Sequence, residues 1–261
     1  MMEWGLRGPT LARRRALGMR VGAIALFLAS WALVAGVVEA LGLVNPIFLP
    51  GPWLVIGNVV ELALNGQLWA HVGATLQRVA LGFSSGAVLA LAVGLPAGHF
   101  RSVRRAVEPV VELLRPIPPL AMLPLFVVWI GIGEESKVGF ITYATFFPMF
   151  LTTVHAVRRI DPLLVRAAES LGARPRQLLP AALPEILTGM RLGLALSFFV
   201  IVISEFIGAE HGLGYLINDG RNFLLVPQML GAAVVLGLLA YAGNALVRLL
   251  ERRTLRWQHP A

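Results

Sequence analysis

Six apolar blocks, at roughly residues 21–44, 79–98, 117–133, 138–156, 189–208 and 227–247, constrain this chain more than any other feature. At about 1.5 Å of rise per residue, helices of such lengths cross a hydrocarbon core of about 30 Å. None of the blocks alternates with period two, which is the mark of an outer-membrane barrel strand. The charged fraction is 14%, whereas soluble domains average about 25%. The expected fold is therefore all-α and polytopic, with about six transmembrane helices.

The distribution of charge orients those helices. If the N-terminus is cytosolic, residues 1–20, 99–116, 157–188 and the tail from 248 share one side. With Arg115 and Arg191 at the loop edges, that side holds 19 of the 22 basic residues. Arg78, Lys137 and Arg221 fall on the other. Such a bias predicts that both termini are cytoplasmic. The net charge of +8 is thus a topology signal, and no nucleic-acid partner is expected. The apolar core after Arg13-Arg14-Arg15 exceeds the 7–15 residues of a signal-peptide core, and is read as a retained first helix. The chain has no cysteine, which excludes disulfide and thiol chemistry.

One domain without internal repeats is expected. It comprises a basic N-terminus (1–20), a first span (21–44), an outer-face segment (45–78), a core of five spans (79–247) and a cytosolic tail (248–261). The outer segment opens with Leu49-Pro50-Gly51-Pro52. It continues in a stretch from Trp53 to Trp69 that is apolar at helical spacing, with Asn58, Glu61 and Asn65 on the other side. That pattern predicts a short interfacial helix with both tryptophans in the headgroup belt.

Two stretches depart from a plain bundle. The third block carries Pro116, Pro118, Pro119 and Pro124, then Gly131 and Gly133. A proline inside a regular helix costs about 3 kcal/mol, and broken helices at membrane depth are tolerated inside protein or along a watery cavity. The block is either a helix beginning after Pro119 with one kink, or an element lining a pathway. The other stretch, residues 166–192, reads RAAESLGARPRQLLPAALPEILTGMRL, a polar helix-turn-helix pattern between apolar spans. It is either an ordinary connector or a surface on which something docks.

The chemistry that is missing narrows the function. A phosphate-binding P-loop needs a lysine after a glycine, but the sole lysine, Lys137, follows Glu134-Glu135-Ser136. ATP, if used, is bound by another chain. His71, His99, His155, His211 and His259 have no ligand-like spacing, so no metal site is expected. No catalytic cluster suggests an enzyme. Ionisable residues in spans are functional candidates, and Glu39 and Glu205 are the two carboxylates in apolar blocks. Glu205, near the outer end, either borders a pathway mouth or caps the fifth span.

The 166–192 loop resembles the coupling loop of permease subunits in bacterial ABC importers. The stretches RPIPPLAMLPLFVVWIGIGEESKVGFI, FFPMFLTTVHAVRRIDPLLVRAAESLGA, PAALPEILTGMRLGLAL and GLGYLI are similar, in order, to the nitrate/sulfonate/taurine branch of that family. The resemblance runs from about residue 45 to 257 and implies a type I ABC-importer-like permease fold. It further implies a second permease copy, two ATP-binding subunits carrying ATP and magnesium, and an extracytoplasmic substrate-binding protein. The setting would be the bacterial inner membrane, and this chain would hold no cofactor. Matched by position, Arg166, Ala167, Ala168, Glu169, Ser170, Leu171 and Gly172, with Leu183 and Pro184, would form the surface that meets the ATPase. Arg166 stands where the family signature begins with glutamate, and the run from Gly172 to Pro180 is about five residues shorter than in the family.

The passage would be lined by the third to fifth spans, with Pro119, Met122, Pro124, Phe126, Tyr143, Phe147, Ser197, Ser204 and Glu205 as candidates. The function implied is ATP-driven import of a small anion of the sulfonate, taurine, nitrate or bicarbonate kind. The alternatives are an importer of a thiamine precursor or riboflavin-type solute, and a stand-alone carrier or channel. The latter would need intramembrane charges and internal repeats, neither of which is visible.

Overall fold

The computed structural model describes residues 9–42, 45, 47–172 and 179–255. Among these residues the chain folds into α1 (Pro9–Ala40), α2 (Pro52–Leu64), α3 (Gln67–His99), α4 (Arg101–Leu114), α5 (Pro119–Ile130), α6 (Glu134–Arg158), α7 (Pro162–Ser170), α8 (Leu179–Phe206), α9 (Leu213–Asn222) and α10 (Val226–Thr254). Five of them, α1, α3, α6, α8 and α10, are long and apolar enough to cross a membrane.

The core is built on α3, α6 and α8, and small residues let their backbones approach closely. On one face of α3, a Cβ added at Gly82, Gly86, Gly94 or Gly98 would run into Ile141, Thr145, Thr153 or Val157 of α6. These pairs ascend together, so α3 and α6 are parallel. On α8, Gly189 and Gly193 meet Thr152 and Met149 in descending order, so α8 is antiparallel to α6. Phe140, Ile141, Met149 and Ile201 are fully buried between these helices. α1 lies outside this packing, with Ala35 its one buried residue among those described. The Trp31 indole donates to the Pro50 carbonyl at 3.2 Å.

Because α3 and α6 are parallel, the segment between them must return the chain to the opposite end of the bundle. That segment is α4 and α5, bent by 98° at the proline-rich break. α5 has 12 residues, about 18 Å at helical rise, which is too short to span the hydrocarbon core alone. The expected third span at 117–133 is thus a half-length helix with irregular backbone at both ends. It begins at Pro119 and keeps Pro124 inside. The prolines at 116, 118 and 119 prevent α4 from continuing into it. α4 itself occupies the stretch expected as a cytosolic loop, 99–116.

Other boundaries move for identifiable reasons. α2 ends at Leu64, because Gly66 adopts φ 78° and turns the chain. α3 then starts at Gln67, not 79, and takes in Trp69, His71, Thr75 and Arg78. His71, Thr75 and Arg78 read as loop, but the helix tolerates them because their side chains find partners inside the fold. α6 likewise starts at Glu134, and α10 runs on to Thr254, into the stretch expected as tail. α8 begins at Leu179, so Leu183 and Pro184 lie within a long helix and not in the loop.

Candidate functional site

The first ends of α3 and α6, the last turn of α8 and the start of α9 meet at one end of the bundle, around Glu205. Glu205 is fully buried. Its carboxylate accepts from Arg78 Nη1 at 2.7 Å, from Thr75 Oγ1 at 2.8 Å and from the Gly214 N–H at 2.7 Å. Arg78 also grips Glu134 in a two-point fork, Nε at 2.5 Å and Nη2 at 2.7 Å, and donates to the His211 carbonyl at 2.6 Å. Thr75 Oγ1 in turn accepts from the Leu213 N–H at 2.8 Å, and His71 Nδ1 from the Gly212 N–H at 3.0 Å. Gly212, at φ 141°, is required here, since a Cβ would collide with the Glu205 carboxylate.

Lys137 completes the group. Sequence reading left it in an outer loop, but it is 2% exposed in the first turn of α6. Its ammonium donates to the carbonyls of Gly133 and Gly208, both at 3.2 Å. Four hydrogen bonds occupy the Arg78 fork, which has five N–H groups in all, so little is left for an anionic ligand. The cluster is a fastener: it sets two carboxylates against two cations and joins α3, α6, α8 and α9. Glu205 therefore neither snorkels to the interface nor caps α8 in isolation.

A second group lies on the α5–α6 side. The Phe126 ring stands 5.9 Å from Tyr143, which stands 5.0 Å from Phe147. These three expected pathway residues are brought together, half-buried, with Met122 and Pro119 also half-buried and Pro124 exposed on the same short helix. Trp129 is 66% and Val128 78% exposed beside them. Ser197 and Ser204 do not join this face. Both are buried, with their hydroxyls donating to the Leu194 and Ile201 carbonyls of their own helix at 2.7 and 2.9 Å.

The third group is α7, at the end of the bundle opposite Glu205. Asp161 caps it, Oδ1 accepting the Leu163 N–H at 2.8 Å, and Pro162 occupies the first helical position, where no amide donor is needed. Gly172, at φ 82°, follows the helix, as is common where a chain turns out of a helix. Leu163, Leu164 and Leu171 are 66%, 61% and 88% exposed. Arg166, Ala167 and Ser170 are exposed on the same short helix. Ala168 and Glu169 belong to it too, but their side chains lie outside the described residues, as do residues 173–178. The Arg159–Glu185 pair, at 3.4 Å, ties the base of this loop to α8.

A family model described as binding-protein-dependent transport system inner membrane component matches residues 86–256. The chain belongs to this family. It is similar to the taurine transport system permease protein of Escherichia coli (strain K12), with 36% identity covering 93% of this chain and 90% of that protein. It is also similar to a putative aliphatic sulfonates transport permease protein of Bacillus subtilis (strain 168), with 35% identity covering 90% and 86%. Its fold matches a chain of the MetNI methionine ABC transporter in an inward-facing conformation, with TM-score 0.56 and 22% identity, covering 75% of this chain and 99% of that one.

The protein is thus a multi-pass ABC-transporter permease. For this permease, sequence reading singled out Leu171 and Gly172 but passed over Leu163 and Leu164. Two adjacent leucines after Asp161-Pro162, in an otherwise polar loop, were the signal available. Of the Glu205 cluster it found one member. Arg78, a lone cation at the head of an apolar block, was the clue to a buried partner. His71 and His211, scattered in sequence, have ring centres 5.5 Å apart.

Proposed function

We propose that this permease forms the membrane passage of an ATP-driven importer for a small sulfonate of the taurine kind. Both termini face the cytoplasm of a bacterial inner membrane, and a second permease copy completes the passage. Two separate ATP-binding subunits hold ATP and magnesium beneath it, and an extracytoplasmic protein delivers the substrate. The carrying observation is α7: a capped, nine-residue helix that, with Leu171 just after it, leaves Leu163, Leu164 and Leu171 exposed at the basic end of the bundle. Exposed leucines clustered in this way mark a docking surface. The similarity to taurine and aliphatic-sulfonate permeases supports the substrate class.

In mechanism, nucleotide binds the closed form of the ATPase pair preferentially and so shifts the equilibrium towards it. The α7 helices of the two copies move with the ATPase subunits. Arg159–Glu185 passes that movement to α8, and the passage beside Phe126, Tyr143 and Phe147 switches which side it opens to. The fastened ends of α3, α6, α8 and α9 move as one unit. The test is co-purification with the ATP-binding subunit of the same transport system. Leu164→Asp should abolish it while the permease stays inserted and monodisperse. A Leu164→Asp variant that still co-purifies and still imports taurine at the wild-type rate would overturn the reading.

A further inference from the structure

At the α7 end of the bundle a cavity of about 120 Å³ opens between α4 and α6. In its polar wall both signs of charge face one small space. Arg104, Glu108, Glu112 and Arg115 come from α4 and the helix cap that follows it. Their spacing of four, four and three places them on one helix face. Arg104 and Glu108 lie 3.9 Å apart. Glu112, Arg115 and, across the cavity, His155 make no side-chain hydrogen bond or ion pair among the described residues. The floor is apolar, formed by Phe150 and Val154 of α6.

A pocket for a simple anion gains nothing from two carboxylates in its wall, and one for a simple cation gains nothing from two guanidiniums. A ligand carrying both charges on a short apolar link satisfies the whole wall. The volume also limits the ligand. At roughly 30 Å³ per water it holds about four waters, which suits a solute of a few heavy atoms.

We propose that this cavity binds an ammonioethyl zwitterion, a short chain with an ammonium at one end and a sulfonate or phosphate at the other. Its sulfonate or phosphate would meet the Arg115 guanidinium, supported by Arg104. Its ammonium would meet the Glu112 carboxylate, and its two methylenes would lie on Phe150 and Val154. Two sources share that chemistry: free taurine, and the phosphoethanolamine headgroup of a bilayer lipid. The first rests on the sulfonate reading above, and the second does not. Either occupant pairs the two unmatched charges of α4 and ties α4, the helix leading into the broken span, to α6.

The experiment uses the permease with its ATPase subunits in nanodiscs of phosphatidylglycerol alone, without the substrate-binding protein. Taurine, ethanesulfonate and ethylamine are titrated by calorimetry. Taurine should bind, with ethanesulfonate and ethylamine at least about tenfold weaker, as expected for loss of one charged hydrogen-bonded contact. Glu112→Gln should remove the preference of taurine over ethanesulfonate, and Arg115→Gln that over ethylamine. If the lipid is the occupant, phosphatidylethanolamine added to the discs should suppress taurine binding. It should also be retained by the wild type in native mass spectrometry but lost from Arg115→Gln. Both Glu112 and Arg115 are exposed, so these variants should fold. If neither taurine nor phosphatidylethanolamine distinguishes the wild type from the two variants, the site does not exist. Uptake of radiolabelled taurine by intact cells is read separately. Uptake without binding at this cavity overturns the cavity alone, and lipid retention without uptake overturns sulfonate import alone.

Discussion

Arg78 and Glu205 are 127 residues apart in the chain, and their side chains meet at 2.7 Å inside the fold. Glu205 has a single cationic partner in this contact, whereas Arg78 keeps a second carboxylate in Glu134. The two residues should therefore respond unequally to substitution. Removing one member of a buried pair typically costs about 3–5 kcal/mol, because the other charge is left uncompensated. Arg78→Met should lose stability on that scale. Glu205→Gln should lose clearly less, since Arg78 stays paired and the amide oxygen still accepts from Thr75 or Gly214. Thermal unfolding of the purified permease in detergent gives the ranking, and a reversed order would mean that Glu205 is not held chiefly by Arg78.

The contact between α3 and α6 makes a prediction about glycine. A Cβ at Gly86 would lie 2.9 Å from the Thr142 carbonyl oxygen and from Thr145 Cβ, while Gly73 on the same helix has open space. Gly86→Ala should push the helices apart and cost about 1–3 kcal/mol. Gly73→Ala should stabilise by up to about 1 kcal/mol through helix propensity. Unfolding midpoints of the two variants should move in opposite directions.

Gly172 follows α7 at φ 82°, with nothing among the described residues within 4 Å of where a Cβ would lie. Alanine there is strained by about 1–2 kcal/mol, while asparagine tolerates the conformation better. Gly172→Trp adds bulk on the docking side and should uncouple transport from ATP hydrolysis while leaving the protein inserted. Wild-type transport by Gly172→Trp with its ATPase would show that the end of α7 does not dock.

Orientation can be read from labelling of single cysteines in this naturally cysteine-free chain. Positions 65 and 218 should react with an impermeant reagent added outside intact cells. Position 104 should react only after the membrane is opened, and its labelling from outside would reverse the proposed topology.

Cysteines at 122 and 126 report on the face shared by α5 and α6. A water-soluble thiol reagent should reach at least one of them, and ATP with the ATPase subunits should change the rate. Inertness in every nucleotide state, combined with ready labelling by a lipid-soluble reagent, would place that face against lipid.

Much of this was legible because apolar length and proline position act locally. The blocks at 138–156, 189–208 and 227–247 became α6, α8 and α10, and Pro119 began α5, since a helix needs nothing distant to specify it. The polar residues at the head of α3 misled for the converse reason. His71, Thr75 and Arg78 read as loop because their partners, Gly212, Leu213 and Glu205, come from a part of the chain more than a hundred residues later. The stretch 99–116 read as a connector, and only the structure shows that most of it is the helix α4, with arginines and glutamates that share a cavity with α6.

By itself, the sequence determined that this chain lives in a bilayer as helices, which segments are apolar enough to do so, and which loop carries the permease signature. Hydropathy, proline stereochemistry and short motifs are properties of neighbouring residues, so they survive without a fold. The tertiary structure alone decided that α3 and α6 run parallel, which makes the broken α4–α5 segment a crossing. It alone decided that Glu205 is paired and not exposed, and that Leu163 and Leu164 of α7, with Leu171 after it, stand free of the bundle. Each of these depends on which surfaces meet across long stretches of chain, and that is set by close packing and by the cost of leaving a buried charge unpaired.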